Sequence, residues 1–282
     1  MKSHTLLTSV AALTAFGYLS VGTPAYAAPI LFISDNTNHI GQVDIATQSV
    51  VAGSIHNTGQ ALTDIAFNSA GTLLGTTFTN LFSINPNTGA ATGLGAYGSE
   101  TGMNALGPSG GTSVFGASFL NNNVYTINPA SPANPNIMKT VVAPSAGDLA
   151  FVGSTLYESA TSASGADELL NVTTNTVVGL FHVGSPAGPT LNSVFGLADD
   201  GTTLYAVNGT NVYSVNPATA VLTLLFDYSL AENGQNLTAA TGTAFMAEGP
   251  PPPPAAPEPA SIALLGSALV GFGILRRRRK IM

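Results

Sequence analysis

Acidic and amide side chains recur beside the short apolar strands that the sequence predicts. Asp64 and Asp148 each begin such a strand, and Asn104 lies near the equivalent place in a third. Carboxylate and amide oxygens at one site would bind a cation or a polar ligand. A second interpretation stays open, in which these side chains hydrogen-bond the backbone of neighbouring sheets. If the strands form a ring, Asp64, Asn104 and Asp148 face the mouth of its central channel, where they are a candidate ligand site.

Other titratable residues do not match a catalytic or metal-binding motif. His39, His56 and His182 fall in separate turn-rich segments without a spacing such as H-x-x-x-H, so we interpret them as surface residues. The pair Asp199-Asp200 precedes a glycine where a hairpin turn is predicted, which favours a turn role. A nucleophile elbow, a P-loop and an EF-hand-type loop are missing from the sequence. We predict no catalytic residue, no cofactor and no metal motif.

Positive charge is almost absent between the two ends of the chain. Lys139 is the one cation between residues 28 and 259, against all fourteen acidic residues. A domain of this charge cannot neutralise several phosphates, which excludes binding to nucleic acid and to an anionic lipid surface. The chain has no cysteine, which excludes disulfides, thiolate metal sites and cysteine nucleophiles.

A strand motif repeats along the middle of the chain. Sequences such as NLFSINPNTG (80–89) and NVYSVNPATA (211–220) recur every 41 to 45 residues, aligned on Val43, Ile84, Ile127, Val172 and Val215. A two-strand motif, such as residues 65–77, precedes most copies. Each unit thus contains about four short strands joined by hairpin turns, which is typical of a β-propeller blade.

The two ends of the repeat complement one another. Residues 30–34 resemble the second strand of a blade, and residues 237–245 resemble a first strand. We therefore predict an all-β, five-bladed β-propeller over residues 28–248, closed by the N- and C-terminal strands of the mature domain, which removes free sheet edges. An open β-solenoid or a β-sandwich is the alternative, although a solenoid would not need complementary half-repeats.

The N-terminal segment has the composition of a secretory signal peptide. Lys2 provides the positive start, and residues 6–22 are mostly apolar and uncharged. Ala25 and Ala27 fit the small-x-small cleavage rule, so residues 1–27 are predicted to be removed after export. An uncleaved membrane anchor is the alternative interpretation.

Three segments follow the repeat. Residues 249–256 form a Pro-rich linker, and residues 260–275 form an uncharged apolar run with nearly the length of a transmembrane helix. Residues 276–280 (RRRRK) are a positive cluster, which stays in the cytoplasm under the positive-inside rule. An exported chain would therefore be anchored by this tail, with its main domain outside the cytoplasm.

The tail resembles a known sorting signal. Pro257-Glu258-Pro259, the short apolar helix and the cluster of Arg276, Arg277, Arg278 and Arg279 are similar to the PEP-CTERM signal of Gram-negative bacteria, here at residues 257–282. The resemblance implies that an exosortase, a membrane transpeptidase-like cysteine protease, cuts near Pro-Glu-Pro. It also implies delivery to the cell surface or the exopolysaccharide matrix. An ordinary C-terminal membrane anchor is the alternative.

These features predict a non-enzymatic protein of the cell surface or extracellular matrix, whose propeller binds or scaffolds extracellular material. Exopolysaccharide is the partner that the resemblance suggests. The alternative is an exported propeller enzyme, a lyase or hydrolase, with a site at the mouth of the central channel.

Overall fold

The computed structural model describes residues 29–229, 231–232 and 235–246. The regular secondary structure of these ranges consists of β-strands, and they contain no helix of the length and hydrophobicity that a membrane span requires. The predicted signal peptide (1–27), the linker (249–256) and the sorting signal (257–282), with its predicted helix (260–275), lie outside the described residues.

The first sheet combines strands from both ends of the described chain. It contains β1 (Ile30–Asp35), β2 (His39–Asp44) and β3 (Ser49–Val50), and its innermost strand is β24 (Ala240–Phe245). The short β4 (His56–Asn57) also pairs with β2. The pairing of β24 with β1 is antiparallel and extends from Leu31 opposite Phe245 to Asp35 opposite Ala240.

The second and third sheets are antiparallel meanders of four strands each. The second contains β5 (Asp64–Phe67), β6 (Leu73–Thr76), β7 (Asn80–Ile84) and β8 (Ala91–Ala96). The third contains β9 (Met103–Pro108), β10 (Val114–Ser118), β11 (Asn123–Ile127) and β12 (Asn136–Thr140).

The fourth and fifth sheets repeat this arrangement. The fourth contains β13 (Ser145–Val152), β14 (Thr155–Thr161), β15 (Asp167–Asn171) and β16 (Thr176–Leu180). In the fifth, β17 (His182–Val183) pairs in parallel with the outer strand of a meander formed by β18 (Val194–Asp199), β19 (Leu204–Asn208), β20 (Asn211–Val215) and β21 (Val221–Asp227). A two-stranded hairpin, β22 (Ala231–Glu232) and β23 (Gln235–Asn236), leads to β24.

The innermost strands of the five sheets form a ring. Each contacts the next in the order β24, β5, β9, β13 and β18, and β18 contacts β24 in turn. The fold is therefore an all-β, five-bladed propeller, as predicted, and neither a solenoid nor a sandwich. The five residues that define the repeat are buried in the third strand of each blade or, for Val172, directly after it.

Apolar side chains fill the space between adjacent blades. The buried residues form five clusters, and each cluster combines residues of two neighbouring sheets. Between the first and second blades, for example, the rings of Phe32 and Phe67 meet edge to face with centroids 5.0 Å apart. Because every sheet is covered on both faces near the axis, almost every residue of the inner strands is buried. The removal of this surface from water is what holds the blades together.

Glycines allow the inner strands to approach one another. A Cβ atom at Gly147 would lie 2.6 Å from the Cα of Phe195 on the next blade, and one at Gly242 would lie 2.5 Å from the Cα of Asp64. Neither distance is compatible with a side chain, so these positions require glycine for a steric reason and not for a special backbone angle.

The substitution Gly242→Ala should therefore destabilise the propeller by roughly 1–3 kcal/mol, as overpacking of a core does. Gly110→Ala is the matched control, because a Cβ there meets no atom within 4 Å and its φ is not positive. Chemical denaturation of both variants measures the difference. Equal stability of the two variants would show that the inner strands are not in close contact at Gly242.

Candidate functional site

Asp148 accepts hydrogen bonds from three blades. It is 1% exposed, and its Oδ1 accepts the backbone N–H of Leu149 on its own strand at 2.7 Å. Its Oδ2 accepts the N–H of Leu197 on the fifth blade at 2.7 Å, and the N–H and hydroxyl of Thr243 on the first blade at 3.2 and 2.9 Å. One carboxylate thus joins the fourth, fifth and first blades at the axis.

Asp64 joins the two remaining blades. It is fully buried, and its carboxylate accepts the N–H of Ile65 on its own strand and that of Leu106 on the third blade. A side-chain hydrogen bond also links Asp64 to Asp148. The two aspartates therefore connect inner strands of all five blades.

The pair retains a proton. Burial, and then the charge of Asp148, raises the pKa of Asp64 well above its usual range, and burial also raises the pKa of Asp148. Two carboxylates in contact cannot both ionise without a large cost. Asp148 accepts four hydrogen bonds from backbone and threonine donors, which stabilise its charged form, so we place the shared proton on Asp64, which donates it to Asp148.

Strand pairing aligns the five blades residue by residue. The inner-strand residues at one level are Ile65, Leu106, Leu149, Leu197 and Thr243. The preceding level holds Asp64, Ala105, Asp148, Gly196 and Gly242. The level before that holds Thr63, Asn104, Gly147, Phe195 and Thr241. The residue equivalent to Asp64 and Asp148 in the third blade is therefore Ala105, and Asn104 lies one level earlier.

A cavity of about 440 Å³ lies at this end of the axis. All five residues of the earliest level line it, so every blade contributes one inner-strand position to its floor. Of the three residues predicted to form a ligand site, Asn104 lines the cavity, whereas Asp64 and Asp148 do not and are buried against neighbouring backbone. The structure thus brings the two aspartates together and separates both from the cavity wall where Asn104 lies.

Aromatic side chains surround the cavity. Phe78, Phe119 and Phe195 are 49%, 43% and 38% exposed and all line it, and the first two meet edge to face with ring centroids 5.3 Å apart. The sequence motifs did not predict this rim. The signal was present in the repeat, because Phe78 and Phe119 occupy the same position after the second strand of their blades, and Thr161, at that position of the fourth blade, also lines the cavity.

The histidines do not approach this site. His39 and His56 lie on β2 and β4 of the first blade, and His182 lies on the outer strand β17, where its Nδ1 is 2.8 Å from the carbonyl of Gly188. None of the three lines the cavity, and no group of three or more metal-ligating His, Asp or Glu side chains occurs among the described residues. Asp199 and Asp200 accept backbone N–H groups of the turn that follows them, as predicted.

The substitution Asp148→Asn should destabilise the protein by roughly 3–5 kcal/mol, because an amide nitrogen would face donors that now share one carboxylate. Asp227→Asn is the matched control. Asp227 is exposed and accepts the N–H of Ser229 through Oδ1, which an asparagine retains. Urea denaturation of the two variants tests this, and similar stabilities would contradict the role given to Asp148.

The buried acids also predict a pH dependence of stability. Burial raises the pKa of Glu158 to about 8 and that of Asp199 to about 6, in addition to the shifts of Asp64 and Asp148. The folded protein therefore keeps protons that the unfolded chain releases above about pH 4, so stability decreases as the pH rises from 4 towards 8. We expect an unfolding free energy lower by roughly 2 kcal/mol or more at pH 8 than at pH 5. Equal or greater stability at pH 8 would show that the pKa values of these acids are not raised in the folded protein.

Comparisons with known proteins bear on the tail and the fold separately. A family model described as the PEP-CTERM protein-sorting motif matches residues 255–279, which confirms the resemblance based on Pro257-Glu258-Pro259 and the arginine cluster. No curated protein matches the sequence.

Two solved structures are similar to the chain at low sequence identity. A chain from a crystal structure of a nidogen/laminin complex has a TM-score of 0.52 and 9% identity, with 77% of this chain and 98% of that chain covered. A protein of unknown function from Bacteroides caccae has a TM-score of 0.49 and 11% identity, with 78% and 99% covered. The chain thus combines a five-bladed β-propeller with a PEP-CTERM sorting motif at residues 255–279.

Proposed function

We propose that this protein is exported, is processed by an exosortase-type enzyme at Pro257-Glu258-Pro259, and reaches the cell surface or extracellular matrix of a Gram-negative bacterium. There its propeller binds matrix exopolysaccharide without catalysing a reaction. The matched sorting motif supports export and processing. The cavity with its aromatic rim is the observation that supports binding.

The walls of the cavity suit a sugar. The exposed rings of Phe78, Phe119 and Phe195 offer flat apolar surfaces on which the C–H face of a pyranose packs. The floor provides the hydroxyl oxygens of Thr63 and Thr241 as acceptors for sugar hydroxyls. A volume of about 440 Å³ holds one or two sugar rings and leaves the remainder of a polymer outside.

The acidic charge of the domain favours uncharged polysaccharides over polyanionic ones as ligands. Lys139 is the one lysine or arginine between positions 28 and 259, and its Nζ already donates to the carbonyl of Thr173. A polyanionic polymer would find no cation at the cavity and would be repelled by the surrounding acids. We therefore propose a neutral exopolysaccharide as the ligand.

The composition of the cavity supports a binding role over an enzymatic one. Acid–base catalysis of hydrolysis or elimination normally uses two ionisable groups on either side of the bond that breaks. Asp167 is the one ionisable residue among those that line the cavity, and its Oδ2 accepts the N–H of Val194 at 2.7 Å. The buried pair of Asp64 and Asp148 has no exposed surface to offer a substrate.

Closure of the mature domain by its own terminal strands is part of the proposal. The pairing of β24 with β1 supports it, since cleavage after Ala27 would leave β1 near the new N-terminus. A ring joined in this way presents no free inner edge to other strands, which suits a protein that persists outside the cell.

Substitution of the rim should weaken polysaccharide binding without unfolding the protein. We expect Phe119→Ala and Phe195→Ala each to reduce affinity for the neutral exopolysaccharide of the producing strain by roughly 5–150-fold. This range corresponds to the loss of one stacked aromatic contact of about 1–3 kcal/mol. Calorimetry on the exported protein measures this. Leu224→Ala, an exposed residue of the outer strand β21, is the control. Unchanged affinity in both rim variants would exclude the cavity as the binding site.

Processing predicts a defined C-terminus. Mass spectrometry of the protein from its host should show a product that ends near Pro259, and a Glu258→Ala variant should keep the chain through Met282. Pro252→Ala, in the linker, should be processed normally. A wild-type protein with an intact tail would leave the membrane-anchored alternative as the correct one.

A further inference from the structure

Four side-chain oxygens near the cavity floor are buried without a hydrogen-bond partner among the described residues. They are Oδ1 of Asn104, Oγ of Ser145, and both carboxylate oxygens of Glu158. Glu158 is fully buried and Ser145 is 2% exposed. Buried polar atoms of native proteins nearly always have partners, so this group is a candidate ligand site.

The three residues are neighbours at the junction of the third and fourth blades. The Nδ2 of Asn104 donates to the carbonyl of Ser145 at 3.3 Å, which leaves Oδ1 of the same amide free. The Ser145 side chain also lies beside the Glu158 carboxyl group, close enough to lower its pKa, although their geometry is not that of a good hydrogen bond. Asn104 and Ser145 line the cavity, so the cluster lies directly behind its wall.

Glu158 interrupts the repeat. The equivalent second-strand residues of the other blades are Ile33, Gly75, Gly116 and Ala206. The strand pairing shifts beside it: Leu149 lies opposite Glu158 and Ser145 lies opposite Ala160, so three residues face Ser159 alone. Shifts of one residue occur near this level in the first, third and fifth blades, so the fourth blade differs in the Glu158 side chain and in the length of its bulge. Bulges commonly occur next to functional sites.

No lysine or arginine among the described residues compensates Glu158. Lys139 is the sole lysine or arginine of the described residues, and its ammonium group lies at the carbonyl of Thr173 on the outer side of the sheet. A buried carboxylate without a partner must either hold its proton or bind a cation from solution.

We propose that Asn104 Oδ1, Ser145 Oγ and the Glu158 carboxylate bind a calcium ion that enters through the cavity. All the donors are hard oxygens, which calcium prefers, and bidentate coordination by a carboxylate is common in its sites. Glu158 supplies the one negative charge of the site, so we expect a weak affinity like that of extracellular calcium-binding modules. Their dissociation constants are roughly 10⁻⁴–10⁻³ M. Calcium would also join the third and fourth blades where their polar atoms now lack partners.

Calorimetric titration of the exported protein with CaCl₂, after treatment with EDTA, tests the site. We expect one ion per chain and a rise of roughly 5 °C in Tm at 10 mM calcium. Glu158→Gln should abolish both effects, and Ser145→Ala should weaken binding about tenfold while it keeps the fold. Glu168→Gln, a carboxylate on the next strand of the same blade, should bind as the wild type does.

Absence of a calcium-dependent heat and Tm shift in the wild type would overturn the proposal. An undiminished effect in Glu158→Gln would also overturn it, because the ion would then bind elsewhere. Since the probe is calcium alone, either failure is independent of polysaccharide binding and leaves that function to be judged by its own experiment.

Discussion

Asp148 and Asp64 join the inner strands of all five blades at the axis, and the geometry of the ring depends on them. Each accepts the N–H of the following residue and the N–H at the equivalent level of the next blade. Asp148 also accepts hydrogen bonds from Thr243 in β24, the inner strand of the first blade and the last strand of the described chain. The apolar clusters between blades supply the larger free energy, but they act only between neighbours. The carboxylates fix the register of strands that are distant in sequence.

This arrangement also determines which side chains line the cavity and what charge they carry. Because alternate residues of a strand face opposite ways, an acid at one level of an inner strand leaves the preceding level free to face the cavity. That level is uncharged in every blade: Thr63, Asn104, Gly147, Phe195 and Thr241. The axis therefore separates a charged, closed interior from a neutral, open floor with an aromatic rim. A neutral ligand matches the floor, and the buried oxygens beside Glu158 match a small cation.

The sequence predicted the parts of this structure that repeat. Val43, Ile84, Ile127, Val172 and Val215 marked the third strand of each blade, and the spacing between them was sufficient to predict blade number. Prediction was weaker where a shift of one residue matters. Asn104 was grouped with Asp64 and Asp148, although pairing aligns Ala105 with them and leaves Asn104 one residue earlier, unpaired in a bulge. Glu158 had no counterpart in other blades, so an analysis based on repetition could not single it out.

Native-state hydrogen exchange at the axis tests the central claim most directly. If the two aspartates join the blades into one cooperative unit, the amides of Leu106, Leu197 and Thr243 exchange only through global unfolding. They then share one free energy, equal to that from denaturation. Exchange of the Thr243 amide at a clearly lower free energy than that of Leu106 would contradict this. It would show that β24 separates from Asp148 while the other blades stay joined.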